Sequence, residues 1–186
     1  MAAGGGTRFV AVDGSHKLLA RWRGRPVVSW AVDAAVAAGL ARTWVVTGAV
    51  SLAGVIAPGA EILVNPGWAQ GQATSLQVAV TAARDAGLDA IVVGLGDQPG
   101  VTSSAWRSVA TTHGPMTVAT YGGRRRNPVR LSRPVWDLLP TTGDEGARIV
   151  MRTYPELVKE VACDGQPGDI DTVEDLDRWN SVTTSE

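Results

Sequence analysis

The residues of this chain best suited to chemistry are charged ones placed beside turns. Ala90-Ile91-Val92-Val93-Gly94-Leu95-Gly96-Asp97-Gln98-Pro99 begins as an apolar run and ends in a carboxylate. A run of this kind bounded by turn residues reads as a strand buried on both faces. Gly94 and Gly96 allow a ligand or another backbone to approach, and Pro99 stops the strand. Asp97 then projects from the carboxyl end of a strand, the edge at which open α/β sheets bind ligands. The competing reading is a cap on the next turn. Near the start, Ala2-Ala3-Gly4-Gly5-Gly6-Thr7-Arg8-Phe9 places consecutive glycine N–H groups where they can converge on an anion. Arg8 can fork onto phosphate oxygens, and Lys17 adds a point charge suited to a triphosphate. A glycine-rich opening can also be a loose tail, and no Gly-Lys-Ser/Thr follows to make it a Walker loop. Late in the chain, Asp169 and Asp171 stand on alternate residues of Gly168-Asp169-Ile170-Asp171-Thr172, so both share one side of an extended segment. A second carboxylate aimed from here at Asp97 would build a hard-cation site with few protein ligands, the way Mg²⁺ is usually held.

Two further stretches lie beside these. Asn65-Pro66-Gly67-Trp68-Ala69-Gln70-Gly71-Gln72-Ala73-Thr74-Ser75-Leu76 is a polar loop entering a helix. Gly71, Thr74 and Ser75 near its N-terminus can hold a base or ribose, or Thr74 or Ser75 can simply cap the helix. Arg124-Arg125-Arg126-Asn127 is either a solvated loop or a grip on an anionic second substrate. His16 is a weak phosphate neighbour of Lys17. His113, at a helix end, and Cys163, in an apolar run, read as structural.

The elements that must position these groups alternate. A helix is expected over Pro26–Leu40, with an apolar face of Val27, Trp30, Ala31, Ala34, Ala35 and Ala38. A strand follows over Thr43–Thr47, then a short helical segment over Ser51–Ala57 and a strand over Glu61–Val64. The helix after Asn65 carries Leu76, Val80 and Ala83. Beyond Asp97 come a helix over Thr102–His113 capped by Thr102 or Ser103, a strand over Met116–Tyr121, a helix opened by Gly143–Arg148, a strand over Leu157–Cys163 and a helix capped by Thr172. The βαβα order implies a parallel sheet with helices on both faces. A phosphate-binding loop normally follows a strand, so Met1-Ala2-Ala3 reads as the last residues of a central strand whose earlier part lies upstream of this start; otherwise the first strand is a stub and the sheet is weakened.

With 186 residues, one domain (1–186) is expected, with Ser181–Glu186 a frayed tail. A net charge of -1 gives no field pointing to nucleic acid or membrane. The single cysteine precludes an internal disulfide and fits a cytoplasmic home. No secretory signal or membrane span is read, and the lack of a His/Cys cluster argues against structural zinc.

Taken in order, Ala2–Phe9 with Lys17-Leu18-Leu19, Asn65-Pro66 through Ser75-Leu76, Gly96-Asp97-Gln98-Pro99, Arg126-Asn127-Pro128-Val129, Gly143–Arg148 and Asp169–Thr172 resemble the molybdenum cofactor cytidylyltransferases and related MobA-like NTP transferases. The resemblance implies a three-layer, Rossmann-like, mostly parallel sheet of the nucleotide-diphospho-sugar transferase kind. It implies transfer of CMP from CTP to the phosphate of molybdopterin, with Arg8 and Lys17 on the triphosphate and Mg²⁺ on Asp97 and Asp171. Ala2, Ala3, Gly4, Gly5, Gly6, Gly71, Ser75 and Gln98 would bind nucleotide, and Arg124, Arg126 and Asn127 would meet the second substrate. A molybdoenzyme could be the recipient. Ala3 and Gln98 resemble relatives that use CTP in preference to GTP. Phe9 in place of a methionine, a longer segment from Arg8 to Lys17 and the arginines at 124–126 depart from the pattern. The alternatives are a GTP donor, a sugar phosphate or other small phosphorylated acceptor, or a protein that binds and delivers the cofactor without chemistry.

Overall fold

The computed structural model describes residues 1–11 and 14–182. Its elements are β1 (Arg21–Trp22), β2 (Arg25–Pro26), α1 (Val27–Ala37), β3 (Trp44–Thr47), β4 (Glu61–Val64), α2 (Gln72–Asp85), β5 (Ala90–Val93), β6 (Gly100–Val101), α3 (Ser103–Thr111), β7 (Met116–Tyr121), β8 (Arg124–Ser132), α4 (Ala147–Thr153), β9 (Val158–Ala162), β10 (Gly165–Gln166) and α5 (Val173–Val182).

The sheet is mixed. β3 and β4 pair in parallel, as do β7 and β9, while β8 runs antiparallel between β5 and β7. Met1-Ala2-Ala3 sits between the two halves. Ala2 N–H donates to Val46 O at 2.8 Å and Gly96 N–H donates to Met1 O at 2.9 Å. The Met1 amino group donates to Gly94 O at 2.6 Å. This short segment, parallel to β3, places the glycine-rich turn directly beyond the carboxyl ends of β3 and β5.

Three apolar clusters hold these parts. Leu76, Val80 and Ala83 of α2 pack on Ile91, Met116, Val118, Val129 and Leu131 of the sheet, with Trp136 beneath. Val28 and Val32 of α1 pack with Val45, Ala2 and Leu18. Phe9, Trp22, Val27 and Ile170 form the third, edged by Trp30 and Trp179. Trp22 lies 5.0 Å from Trp30 and 5.1 Å from Trp179, ring centre to ring centre, the tilted and edge-on geometry that aromatic quadrupoles favour. Ile170, fully buried between Asp169 and Asp171, is the anchor that turns both carboxylates to one side.

Several elements differ from expectation. Residues 51–57 form turns rather than a helix: Gly54 takes φ +77°, and Leu52 is buried in the core with Val55 and Ile56 packed half-buried against the same cluster. The arginines at 124–126 open β8 instead of forming a loop, since the turn is made by Gly122 and Gly123. α1 turns Val28 and Val32 inward in place of Trp30 and Ala34. In β5 only Ile91 is buried; its neighbours are half-buried. α4 begins at Ala147, so Asp144 and Glu145 precede it and make other contacts. α3 is capped by the Thr102 hydroxyl, which accepts from Ala105 N–H at 3.2 Å. Thr172 caps α5, with Asp175 returning bonds to the N–H groups of Asp171 and Thr172, a reciprocal capping box. That helix continues through Ser181 and Val182; the rest of the expected tail, residues 183–186, lies outside the described residues, as do residues 12 and 13 of the loop before Lys17.

Candidate functional site

A cleft of about 590 Å³ opens beyond the carboxyl ends of β3 and β5. It is bordered by the glycine turn, the Trp68–Ser75 loop, the Asp97 turn and the Asp169–Asp171 segment. Asp97 leaves the end of β5 as expected, and its backbone carbonyl accepts from Ile170 N–H at 2.9 Å. That bond brings the late acidic segment, more than 70 residues away in sequence, alongside Asp97.

Lys17 is the centre of the charge cluster. Its Nζ donates to Asp97 Oδ2 at 2.5 Å and to Asp171 Oδ1 at 2.8 Å, while Arg8 reaches Asp171 Oδ2 at 2.9 Å. Lys17 and Asp97 are 12% and 15% exposed, whereas Arg8 is 74% exposed. Burial pulls the Lys17 pKa down, but the Asp97 charge and the hydrogen bonds to both carboxylates outweigh it and hold the ammonium above its ordinary value. Asp97 Oδ1 is buried and accepts no hydrogen bond among the described residues. A carboxylate oxygen stripped of water and left without a donor is a costly arrangement, and one that a cation would relieve. Asp169 has its pKa raised, chiefly by burial and further by the charges of Asp97 and Asp171, against a 2.6 Å hydrogen bond from Gln98 Nε2.

The glycine turn is fixed from below. His16 Nδ1 accepts from Leu18 N–H at 3.2 Å, which leaves the proton on Nε2 to donate to Gly4 O at 3.0 Å. Burial, together with the Lys17 charge, lowers the His16 pKa against the opposing pull of the Gly4 carbonyl. His16 therefore pins the turn as a neutral ring. The N–H groups of Gly4 and Gly5 find no backbone partner among the described residues and are available to an anion. Trp68 packs beneath this turn at a position only glycine permits: a Cβ at Gly48 would lie 2.5 Å from Trp68 Cβ and 2.8 Å from Ala3 O.

The cleft gathers Ala2, Ala3, Gly4, Gly5, Arg8, Lys17, Gly71, Ser75, Asp97 and Asp171. Gly6, with φ +60° against the His16 ring, shapes the turn from outside the cleft lining. Gln98 is 3% exposed and turns away, donating to Asp169 and to Pro167 O and accepting from Asn127 Nδ2 at 3.2 Å. Of the two residues resembling CTP users, only Ala3 lines the cleft. Thr74 and Ser75 do not cap α2; Asn65, buried, donates to both hydroxyls at 2.8 and 2.9 Å. The first N–H groups of that helix are taken instead by the 143–144 loop, Gln72 N–H by Asp144 Oδ1 and Ala73 N–H by Gly143 O. Asp144, Arg148, Gln72 and Trp68 also line the cleft; they lie in stretches that carry the resemblance, but none had an expected role at the site.

A second cavity, of about 750 Å³, is lined by Arg125, Arg126, Asn127, Arg148, Arg152 and Asp169. It meets the first at Asp169 and Arg148. Arg126 and Asn127 line it; Arg124 does not. Two adjoining cavities, one rimmed by a glycine turn with paired carboxylates and one by arginines, can hold two anionic reactants side by side.

Comparison with known proteins agrees with this arrangement. The sequence matches the family described as MobA-like NTP transferase domain over residues 1–159. The structure is similar to Rv0371c from Mycobacterium tuberculosis H37Rv, with TM-score 0.81 and 28% identity over 97% of this chain and 94% of that one. It is also similar to the Rv0371c homolog from Mycobacterium sp. strain JC1, with TM-score 0.84 and 27% identity over 100% and 95% of the two chains. A manganese complex of Rv0371c gives TM-score 0.78 and 27% identity over 97% and 95%. The Methanothermobacter nucleotidyl transferase Mth528, at 22% identity and TM-score 0.79 over 98% and 94%, shares the fold. Comparison with curated proteins gives no match. By the match across most of its length, the chain belongs to the MobA-like NTP transferase family.

Proposed function

We propose that residues 1–186 act as one cytoplasmic nucleotidyltransferase domain that moves CMP from CTP to the phosphate of molybdopterin, releasing pyrophosphate and supplying a recipient molybdoenzyme. The observation that carries this reading is the convergence of the free glycine N–H groups, Arg8, Lys17, Asp97 and Asp171 on one cleft, with an arginine-lined cavity beside it.

The chemistry asks for position and charge rather than a base. A phosphate monoester is largely ionised near neutral pH, its second pKa being about 6. One of its oxygens forms a bond to the α-phosphorus as the bond to the bridging oxygen breaks, and that electron pair leaves with pyrophosphate. Gly4 and Gly5 N–H groups would receive the β- and γ-phosphates. Arg8, exposed and paired with Asp171 among the described residues, would swing onto them. Lys17 would exchange a carboxylate for phosphate oxygen as the triphosphate enters, and so stabilise the leaving group. Arg126 and Asn127 would hold the acceptor in line from the second cavity. The all-oxygen pair Asp97 and Asp171 suits Mg²⁺, and the unpaired Asp97 Oδ1 supports a cation there. Once bound by these two carboxylates, such an ion supplies neutralising charge to the triphosphate. The manganese complex of a similar structure also supports a divalent ion. Ala3 in the cleft lining favours the CTP reading.

The test is a panel of the four NTPs against molybdopterin and several sugar phosphates, scored by pyrophosphate release. Release with CTP and molybdopterin is expected. Release with a sugar phosphate or with GTP would reassign the substrates. Cofactor binding with no pyrophosphate from any pair would replace catalysis with delivery.

A further inference from the structure

Among the arginines of the second cavity stands one neutral side chain, Asn127, and a buried amide behind it fixes which way it points. Gln98 is 3% exposed and sits between Pro167 and Asp169 on one side and Asn127 on the other. Its partners decide which end of the amide is which. The Pro167 carbonyl can only accept, so the Gln98 NH₂ faces it at 3.3 Å, and the same group donates to Asp169 Oδ1 at 2.6 Å. Gln98 Oε1 is thereby turned toward Asn127. An amide oxygen cannot donate, so Asn127 presents its own NH₂ to it, at 3.2 Å. The Asn127 oxygen is left on the other side. It accepts no hydrogen bond among the described residues yet is not enclosed, since Asn127 is half-buried and lines the second cavity. A backbone carbonyl in the 167–169 segment thus sets, through two amides in series, the polarity of one atom in that cavity.

We propose that Gln98 is a positioning residue for the second substrate: by orienting Asn127 it gives the arginine-lined cavity a hydrogen-bond acceptor, which selects a phosphate monoester carrying an N–H or O–H donor near its phosphate. The inference rests on the two-cavity reading given above. Arg125 and Arg152 are paired with Glu160 and Glu145, whereas Arg126 and Arg148 make no ion pair among the described residues. Those two guanidinium groups suit the phosphate. The Asn127 oxygen suits the donor. If the amide pointed the other way, this side chain would add two more N–H groups to a wall already rich in them and would discriminate little among phosphates. A substrate without the donor leaves the oxygen unpaired and is bound less well. Gln98 follows Asp97 directly, so a single turn carries a carboxylate for the cleft and, on the next residue, the amide that orders the neighbouring cavity.

The test measures KM for CTP and for the acceptor, molybdopterin or whichever sugar phosphate releases most pyrophosphate, in Gln98→Met, Asn127→Ala and the double variant. Methionine keeps the length of glutamine and removes both ends of its amide. Each single variant should raise the acceptor KM about tenfold, the worth of one hydrogen bond, and leave the CTP KM unchanged. The double variant should match the singles, because Gln98 acts through Asn127. Multiplied effects in the double variant would make Gln98 independent of Asn127, and a raised CTP KM in Gln98→Met would make it a nucleotide contact; either result would overturn the proposal. A melting curve covers the case in which Gln98→Met does not fold. Asn127→Asp sets a carboxylate oxygen against Gln98 Oε1 and should lower Tm by about 2–10 °C; an unchanged Tm would show that the two amides are not coupled and would overturn it as well. Wild-type protein that turns over no acceptor would remove the two-substrate reading and this proposal with it, whereas an active wild type with the wrong pattern among the variants would remove this proposal alone.

Discussion

Replacing Asp97 with asparagine separates the chemistry of the cleft from its architecture. The side chain keeps its shape and loses its charge. Its amide oxygen can still accept from Lys17, which puts the NH₂ where Oδ1 now lies buried and unpaired. A donor at that point repels the cation that the carboxylate would attract. Lys17 is not stranded, because Asp171 still accepts from it at 2.8 Å. The stability cost is then the difference between a charge-assisted and an ordinary hydrogen bond, about 1–2 kcal/mol, or roughly 2–8 °C in Tm for a chain of this size. Loss of a charge-stabilising group at the reacting centre commonly costs about 10²–10³ in kcat. Pyrophosphate release under saturating CTP and acceptor, with a melting curve on the same sample, gives both numbers. A folded D97N enzyme that turns over within a few-fold of wild type would refute the role given to Asp97. A variant that fails to fold would show that the carboxylate is chiefly architectural.

The remaining predictions test the supports of the site. His16 has its pKa below the usual 6.5, so the unfolded chain binds the proton more readily. Stability is therefore fully present above pH 6.5 and falls as pH drops toward the folded-state pKa. The difference between wild type and H16N in Tm against pH isolates the histidine; parallel curves would count against the pin. Gly48→Ala drives a Cβ into Trp68 and Ala3 O and should destabilise by about 1–3 kcal/mol while weakening nucleotide binding, measured by titration calorimetry; normal affinity would mean the glycine turn does not depend on Trp68. Arg126→Ala should raise the acceptor KM about tenfold with the CTP KM unchanged; the reverse pattern would exchange the assignments of the two cavities.

Much of this was legible locally. Asp97 could be placed because an apolar run followed by Gly-Asp-Gln-Pro fixes both the strand and its end. Asp169 and Asp171 could be placed on one side by alternation, with Ile170 buried between them. Thr102 and Thr172 cap their helices because a hydroxyl three residues ahead of a free N–H needs nothing distant. What was not legible depends on partners far along the chain. Asp144 reads as the start of its own helix yet caps α2, 72 residues earlier. Gln98 follows the aspartate in sequence, but its amide is claimed by Asp169 and Asn127. His16 looks like a phosphate neighbour until the Leu18 N–H fixes its tautomer. The 51–57 segment has helical composition, but Gly54 takes a left-handed conformation that breaks it. Composition describes what a residue offers; in these cases a distant residue accepts the offer first.

Following isotope from the donor tests the central claim most directly. With CTP labelled at the α-phosphate and, separately, at the γ-phosphate, wild-type protein and molybdopterin should place the α-label in the dinucleotide product and the γ-label in pyrophosphate. Movement of the γ-label onto the acceptor, or retention of both labels in CTP, would contradict nucleotidyl transfer in this cleft.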